Sequence, residues 1–397
     1  MKVKQYNGVK LYDATSEFHL KLVDVSIDSK GFTISPSKET VAQYEASPAW
    51  VEFLSNFCDP GYEHKETLEN GIKLAQKSGF MAVGISPLNQ PKTESKAAIK
   101  YLLSENTKKT SALPFATLTT DAQGKDLTEI LDLNQNGAAG FYDGKKGLSD
   151  KLLSKALLYS LKKDALICMH PSNNTLNESA VVNESLNGVL TGLKTSPSLS
   201  EFGAVRAALD VLEYTGGRLH FHLISAKESV DLIKAAKKKN LNVTCSVAFH
   251  HLIHTDEVNQ EFDSHLKIWP PFRTEKDKKA LIAGVKDGTI DIICADHQPV
   301  DLENKACEYG IAEEGINGLS HMMPMLHKHF AKTAAWESIL KAVSTNPAKV
   351  LNVSQPSLNI WSLEGKKSLL NINDSFSENS PYTGLETSFE ILESLRN

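Results

Sequence analysis

The sequence predicts an α/β fold: a (β/α)8 TIM-type barrel with a small β-sandwich module formed from both chain ends. Three observations predict it. From residue 50 onward, amphipathic helical patterns closed by Gly, Asn or Asp alternate with short apolar runs rich in β-branched or aromatic residues, as in "ETLENGIKLAQKSG" before "FMAVGIS" and "EKDKKALIAGVKDGT" before "IDIICADH". Such alternation suits parallel strands joined by right-handed helical crossovers. The apolar runs number eight, enough to close a barrel. The first 50 and the last 45 or so residues break this rhythm and carry strand patterns of their own.

Residues 1–50 form the first part of the end module, because "GVKLYDATSEFHLKLVDVSIDSKGFTIS" alternates with period two, as antiparallel strands do. Residues 51–350 hold the barrel, with strands predicted over 51–57, 80–86, 112–120, 138–143, 165–170, 219–225, 242–248 and 290–296. Between strands five and six, "PSNNTLNESAVVNESLNGVLTGLKTSPSLSE" is a long polar connection, placed by this fold over the C-terminal face of the barrel. Residues 351–397 return to the end module, with short strands in "SLNIWSLEGKKSLLNINDSF". An open doubly wound sheet is the alternative, but no G-x-G-x-x-G fingerprint follows a first strand.

With 397 residues and 41% hydrophobic content the chain can bury a large core, and its formal net charge of -5 comes from charges of both signs spread along it. No electrostatic footprint for nucleic acid or an anionic membrane results. The start lacks an apolar signal-like run, and no later window approaches 18 consecutive apolar residues, so cytoplasmic residence is expected. Five widely spaced cysteines without a C-x-x-C pair suggest neither a disulfide framework nor a cysteine zinc site.

Polar side chains gather where the predicted strands end. Asp143 closes strand four, His170 closes strand five, His220 and His222 share one face of strand six, and Asp296 with His297 closes strand eight. In a barrel these converge on one mouth, where carboxylates and imidazoles suit Zn2+ or a related divalent ion. Taken singly each has a plainer reading, a hydrogen-bonded core histidine or an aspartate capping the next helix. Their joint occurrence at four strand ends is what points to a metal site.

The chain resembles the dihydroorotases of the amidohydrolase superfamily from "SPAWVEFLSNFCDPGYEHKET" to "NSPYTGLE", most tellingly in "DPGYEHKETLENG", "VAFHHLIHTDE", "PPFRTEKDKKALIAGVKDGTIDIICADHQP" and "GINGLSHMMPML". The resemblance implies a barrel of the amidohydrolase kind, and hydrolysis or formation of the cyclic amide of dihydroorotate in pyrimidine biosynthesis. It also implies one or two zinc ions at the mouth. Zinc lowers the pKa of a bound water and polarises the amide carbonyl. A carboxylate after strand eight, Asp296 here, serves as general base and then acid.

Position by position, the family's His-x-His pair falls on Leu54 and Asn56, which ligate zinc poorly or not at all. Its carboxylate-binding Arg falls on Cys58, removing charge-assisted contacts of about 1.5–3 kcal/mol per hydrogen bond. A substrate-binding Asn falls on Leu88, or on Asn89 after a one-residue shift; the Asn before Pro-Pro falls on Trp269; and a second His after strand eight falls on Val300. The acids after His170 become Ser172 and Asn173. His170 and Asp296 match, Asp143 matches the bridging carboxylate approximately, and the strand-six ligand is Leu223 in an ungapped match or His222 with one inserted residue.

These substitutions lead to the expectation of a dihydroorotase-like pseudoenzyme kept as a folded, homo-oligomeric subunit. The resemblance suggests aspartate transcarbamoylase as its partner. The alternative is a working cyclic-amide hydrolase with at most one zinc per chain on His170, His222 and Asp296, aided by Asp143. A third reading is a small-molecule sensor with Trp269 as an aromatic wall.

Overall fold

The strands predicted from the apolar runs lie side by side in chain order. The computed structural model describes residues 4–29, 31–354, 356–371 and 375–396. After β1 (Lys4–Leu11), β2 (Leu22–Asp28), β3 (Gly31–Pro36) and β4 (Tyr44–Ser47), the barrel begins with β5 (Trp50–Ser55), β6 (Phe80–Ile85), β7 (Ser111–Ala116), β8 (Gly140–Phe141) and β9 (Leu166–Met169). A two-stranded ribbon, β10 (Val182–Asn183) and β11 (Thr195–Ser196), interrupts it before β12 (Arg218–Phe221), β13 (Val243–Ala248) and β14 (Ile292–Cys294) complete it. The eight barrel strands pair in parallel, each with its neighbour in the sequence of strands.

The seam between β14 and β5 is closed by other means. The backbone N–H of Ala295 donates to both carboxylate oxygens of Glu52, at 3.2 and 2.9 Å, and Asn56 N–H donates to the carbonyl of His297 at 2.9 Å. Glu52 is fully buried, and burial pushes its carboxyl up to about 8 against the pull of the Ala295 and Leu54 N–H groups. On the other flank of β5, the strand passes so close to β6 that a Cβ on Gly84 would sit 1.8 Å from the carbonyl oxygen of Phe53. Only glycine fits there.

Helices follow from ordinary signals. Helix Leu68–Lys77 starts at Thr67, whose side chain accepts from Asn70 N–H, and helix Glu275–Asp287 opens on a Thr274–Asp277 capping box and stops at left-handed Gly288. The barrel interior is filled by Val51, Phe53, Phe115, Cys168 and Cys294. Phe53 stacks on His220 with ring centroids 4.1 Å apart, and His220 Nδ1 meets Thr244 Oγ1 at 2.8 Å.

The two chain ends meet in one six-stranded sheet, completed by β15 (Ser357–Ser362) and β18 (Ile391–Arg396), in the order β18-β15-β4-β1-β2-β3. Its core is Tyr6, Val9, Leu11, Val23, Val25, Ala46, Leu358 and Ile360. A separate short ribbon pairs β16 (Ser368–Leu369) with β17 (Glu386–Thr387). The expected strands in "SLNIWSLEGKKSLLNINDSF" include β15 and β16, while residues 372–374 of that stretch lie outside the described residues.

Several strands are shorter than the sequence pattern predicts. Leu118 and Thr119 leave β7 because their N–H groups donate to Asp143 Oδ1, at 2.7 and 3.0 Å. The chain departs from β12 and β14 at Leu223 and Asp296, both in the left-handed region at φ 63° and 44°. Among the described residues, no helix is long and apolar enough to cross a membrane.

Candidate functional site

A cavity of about 240 Å³ opens at the C-terminal ends of the barrel strands. β5 contributes Leu54, Ser55 and Asn56, the loop after β6 contributes Ser86 and Leu88, and the end of β8 contributes Tyr142 and Lys145. His222 enters from the end of β12; Asp296, His297 and Gln298 enter from the end of β14, with Glu314 beyond them. This is the end of a barrel where sites are built.

At the centre, Lys145 Nζ lies 3.3 Å from Asp296 Oδ2 and 3.3 Å from Gln298 Oε1. Burial raises the Asp296 carboxyl to about 6; the Lys145 ammonium draws it back, and Glu314 adds a smaller upward push. Asp296 also holds φ at 44°, a conformation that costs a non-glycine residue on the order of 1 kcal/mol or more and that concentrates at functional sites.

The histidines are neutral and tied into the frame. His170 Nδ1 lies 3.1 Å from the backbone carbonyl of His222, which makes that nitrogen the donor, and burial lowers its pKa to about 3. His222 Nδ1 meets Ser246 Oγ at 2.9 Å, and burial, with His220 and His170 nearby, holds the ring well below its ordinary pKa. On strand six it is His222 that lines the cavity; Leu223 is wholly buried in the core.

Asp143 faces elsewhere. Its carboxylate accepts from Leu118 N–H, Thr119 N–H and the Thr119 hydroxyl, so it braces the turn after β7, while its neighbour Tyr142 takes the place on the cavity wall. Burial nonetheless raises the Asp143 pKa, against those three donors.

Of the positions singled out in the sequence, the cavity therefore unites Leu54, Asn56, Leu88, His222, Asp296 and His297. His170 is buried behind His222. Cys58 is buried off the cavity at φ 61°, its thiol pushed up to about 12 by burial. Asn89 is spent on the backbone, donating from Nδ2 to the carbonyl of Asp59 at 2.6 Å. Trp269 and Val300 are not on the cavity wall; Val300 is wholly buried, with its N–H on Asn379 Oδ1 at 3.1 Å. Sequence reasoning missed Tyr142, Lys145, Gln298 and Glu314. For Lys145 the available signal was its place two residues beyond Asp143 at a strand end.

The donor set does not fit zinc. Among the described residues, no group of three or more His, Cys, Asp or Glu side chains is disposed to hold a metal ion. Asp143 is engaged by three donors of the β7 turn, Leu54 offers no lone pair, and the Lys145 ammonium already supplies a positive charge beside Asp296. The cavity holds a buried ion pair, the imidazoles of His222 and His297, both kept neutral by burial, and unpartnered hydroxyls on Ser55 and Tyr142. Its polar lining suits a small polar molecule.

Comparison with known proteins agrees with this architecture. Residues 48–229 match the family described as Dihydro-orotase-like. The chain is 30% identical to the dihydroorotase of Acetivibrio thermocellus over 365 residues, covering 88% of this chain and 85% of that one. It is 34% identical to the dihydroorotase of Bacillus licheniformis over 319 residues, covering 78% and 74%. Among solved structures, L-hydantoinase (dihydropyrimidinase) from Arthrobacter aurescens superposes with a TM-score of 0.84 at 18% identity, over 99% of this chain and 94% of that one. Dihydropyrimidinase from Brevibacillus agri gives 0.78 at 15% identity, over 99% and 93%.

Proposed function

This chain belongs to the dihydroorotase-like family of amidohydrolases, and from that premise we propose that it is a non-hydrolysing member, retained in pyrimidine biosynthesis as a folded subunit. The observation that carries the reading is the Lys145–Asp296 pair in a cavity walled by Leu54 and Asn56. The family's chemistry relies on zinc to generate hydroxide and polarise the amide. Here the would-be acid/base group is paired with an ammonium, and the residues at the imidazole positions are an aliphatic chain and a neutral amide.

Loss of substrate grip supports the same reading. The cavity's ionic side chains are Lys145, Asp296 and Glu314, two carboxylates against one ammonium, which disfavours a carboxylate-bearing substrate. By family resemblance, the partner we propose is aspartate transcarbamoylase, in a cytoplasmic assembly containing more than one copy of this chain.

The test is elemental analysis of the purified protein together with dihydroorotate turnover, with and without added zinc. No stoichiometric zinc and no turnover is the expected result. One zinc per chain, with turnover abolished by Asp296→Ala, would overturn the proposal in favour of a mononuclear cyclic-amide hydrolase using His170, His222 and Asp296, aided by Asp143. Co-purification with aspartate transcarbamoylase tests the partner: a chain that never alters the assembly of that enzyme is not its subunit.

A further inference from the structure

The long connection after β9 holds an apolar face outward. Helix Leu186–Leu190 buries only Gly188 and leaves Leu186, Val189 and Leu190 exposed at 76%, 64% and 67%. The helix is not free to roll these side chains inward. A Cβ on Gly188 would lie 1.9 Å from the carbonyl oxygen of Asn183, so its inner side is pressed against β10. Ser185 caps it through Gly188 N–H, Asn187 Nδ2 donates to Asp256 Oδ1 at 2.9 Å, and Gln260 Nε2 donates to Asn187 Oδ1 at 2.8 Å.

Neighbouring loops extend the face. Phe262, 48% exposed, ends the 3-10 turn Asp256–Glu261 and packs edge-on to Tyr309 at 6.2 Å. Ile311 is 76% exposed two residues further on, and the Gly310 between them lies beside Leu193 of the helix segment. The flanks of this face are acidic. Across residues 184–194, 257–262 and 308–311, Glu184, Glu257, Glu261 and Glu308 are exposed, and Lys194 is the exposed base. None of the four glutamates pairs with a cation among the described residues.

We propose that this face is a docking surface for another protein, and that the segment it receives is a cationic amphipathic helix with apolar side chains flanked by Lys or Arg. Contiguous exposed apolar side chains with a charged rim mark interaction sites, and the rim selects the partner's sign. A second copy of this chain is a poor occupant, since a two-fold contact would bring the same glutamates together. An anionic lipid surface is disfavoured for the same electrostatic reason. The proposal does not depend on whether the barrel mouth is hydrolytic.

The experiment uses the full chain and two synthetic probes: an amphipathic leucine–lysine helical peptide and its leucine–glutamate counterpart. Binding is read by fluorescence anisotropy and the contact is mapped by hydrogen exchange. The lysine peptide is expected to bind, to protect residues 184–194 and 257–262, and to weaken by about tenfold in Leu186→Ser/Leu190→Ser/Ile311→Ser and in Glu257→Lys/Glu261→Lys. Both variants alter exposed side chains, and unchanged melting temperatures confirm that the fold is intact. Equal binding of the two peptides, protection elsewhere, or affinity indifferent to both variants overturns the proposal. So does a dimer of the chain that the triple variant dissolves, which would assign the face to self-association.

Discussion

The Lys145 ammonium and the Asp296 carboxylate, on the loops after the fourth and eighth barrel strands, lie 3.3 Å apart with side chains only 18% and 10% exposed. A carboxylate this deep needs a partner, and the Lys145 ammonium supplies one. The pair also draws together opposite sides of the barrel mouth.

Removing one member should therefore cost more than removing both. Lys145→Met leaves Asp296 buried beside apolar walls and is expected to destabilise by on the order of 1–3 kcal/mol, less than the 3–5 kcal/mol of a fully buried pair because water reaches its edge. Asp296 already has a raised folded pKa, so its contribution is largest at low pH and is lost as pH rises through about 6. The variant should push that loss higher, making the deficit greater at pH 8 than at pH 5. Urea denaturation at both pH values, with Asp296→Asn closing the double-mutant cycle, checks it; an equal deficit at the two pH values counts against it.

Acid should loosen the fold well above the carboxylate range. His170, His220, His251 and His297 are lowered to about 3, His254 and His321 to about 4, and His222 and His250 well below their ordinary value, in every case chiefly by burial. A depressed folded pKa gives stability that is present above the unfolded value and lost as pH falls. Each histidine then costs about 1 kcal/mol per pH unit below roughly 6.5. Glu52 and Asp296, and with them Glu66, Asp143 and Asp291, are raised by burial and act in the opposite sense, while His327 and His329 are also lowered and add to the histidine effect. Melting temperature should fall steeply from pH 7 to pH 5; a flat profile would refute this.

Glu52→Gln should flatten part of the alkaline profile. Its carboxyl is raised to about 8, so the folded state keeps a proton that the unfolded chain releases above about 4.5. The associated stability is lost as pH rises through that window. An amide still accepts from Ala295 N–H and has no proton to lose. The variant is expected to gain on the order of 1–3 kcal/mol relative to wild type between pH 5 and pH 8. Glu52→Ala, which opens the seam, should lose stability at both.

Metal affinity should be recoverable by design. Leu54, Asn56, His222 and Asp296 line one cavity, so Leu54→His/Asn56→His with Lys145→Ala supplies three imidazoles and a carboxylate without a competing cation. Zinc should then bind and raise the melting temperature, while wild type is unaffected. Elemental analysis and thermal shift read both. A variant that folds but takes up no zinc would mean that the backbone, and not only the side chains, has moved away from ligating geometry.

The barrel was legible because its signal is local and periodic: each helix and each apolar run declares itself over ten or so residues, and their alternation orders the strands. The cavity was legible only where a strand ends in register. Asp143 and Tyr142 show the limit. Neighbours on a strand point to opposite sides, and the turn after β7 recruits the acid, leaving the phenol on the wall. Lys145 meets Asp296 across 151 residues of chain, and a lysine in a loop has no period to reveal its direction. The face on helix Leu186–Leu190 was hidden for a related reason, since a five-residue helix within a polar connection is too short for its apolar side chains to register as a pattern.

The six-stranded sheet imposes an order on synthesis. Its strand β4 carries β1 on one edge, available from the start, and β15 on the other, where Ser47 faces Asn359. As the polypeptide leaves the ribosome, that second edge stays open until almost all of this sequence has been made, with the Trp361 indole that will donate to Glu45 still inside the exit tunnel. The barrel can assemble while the sheet beside it is incomplete, and an unpaired β4 is the strand that a chaperone or a neighbouring nascent chain would meet first.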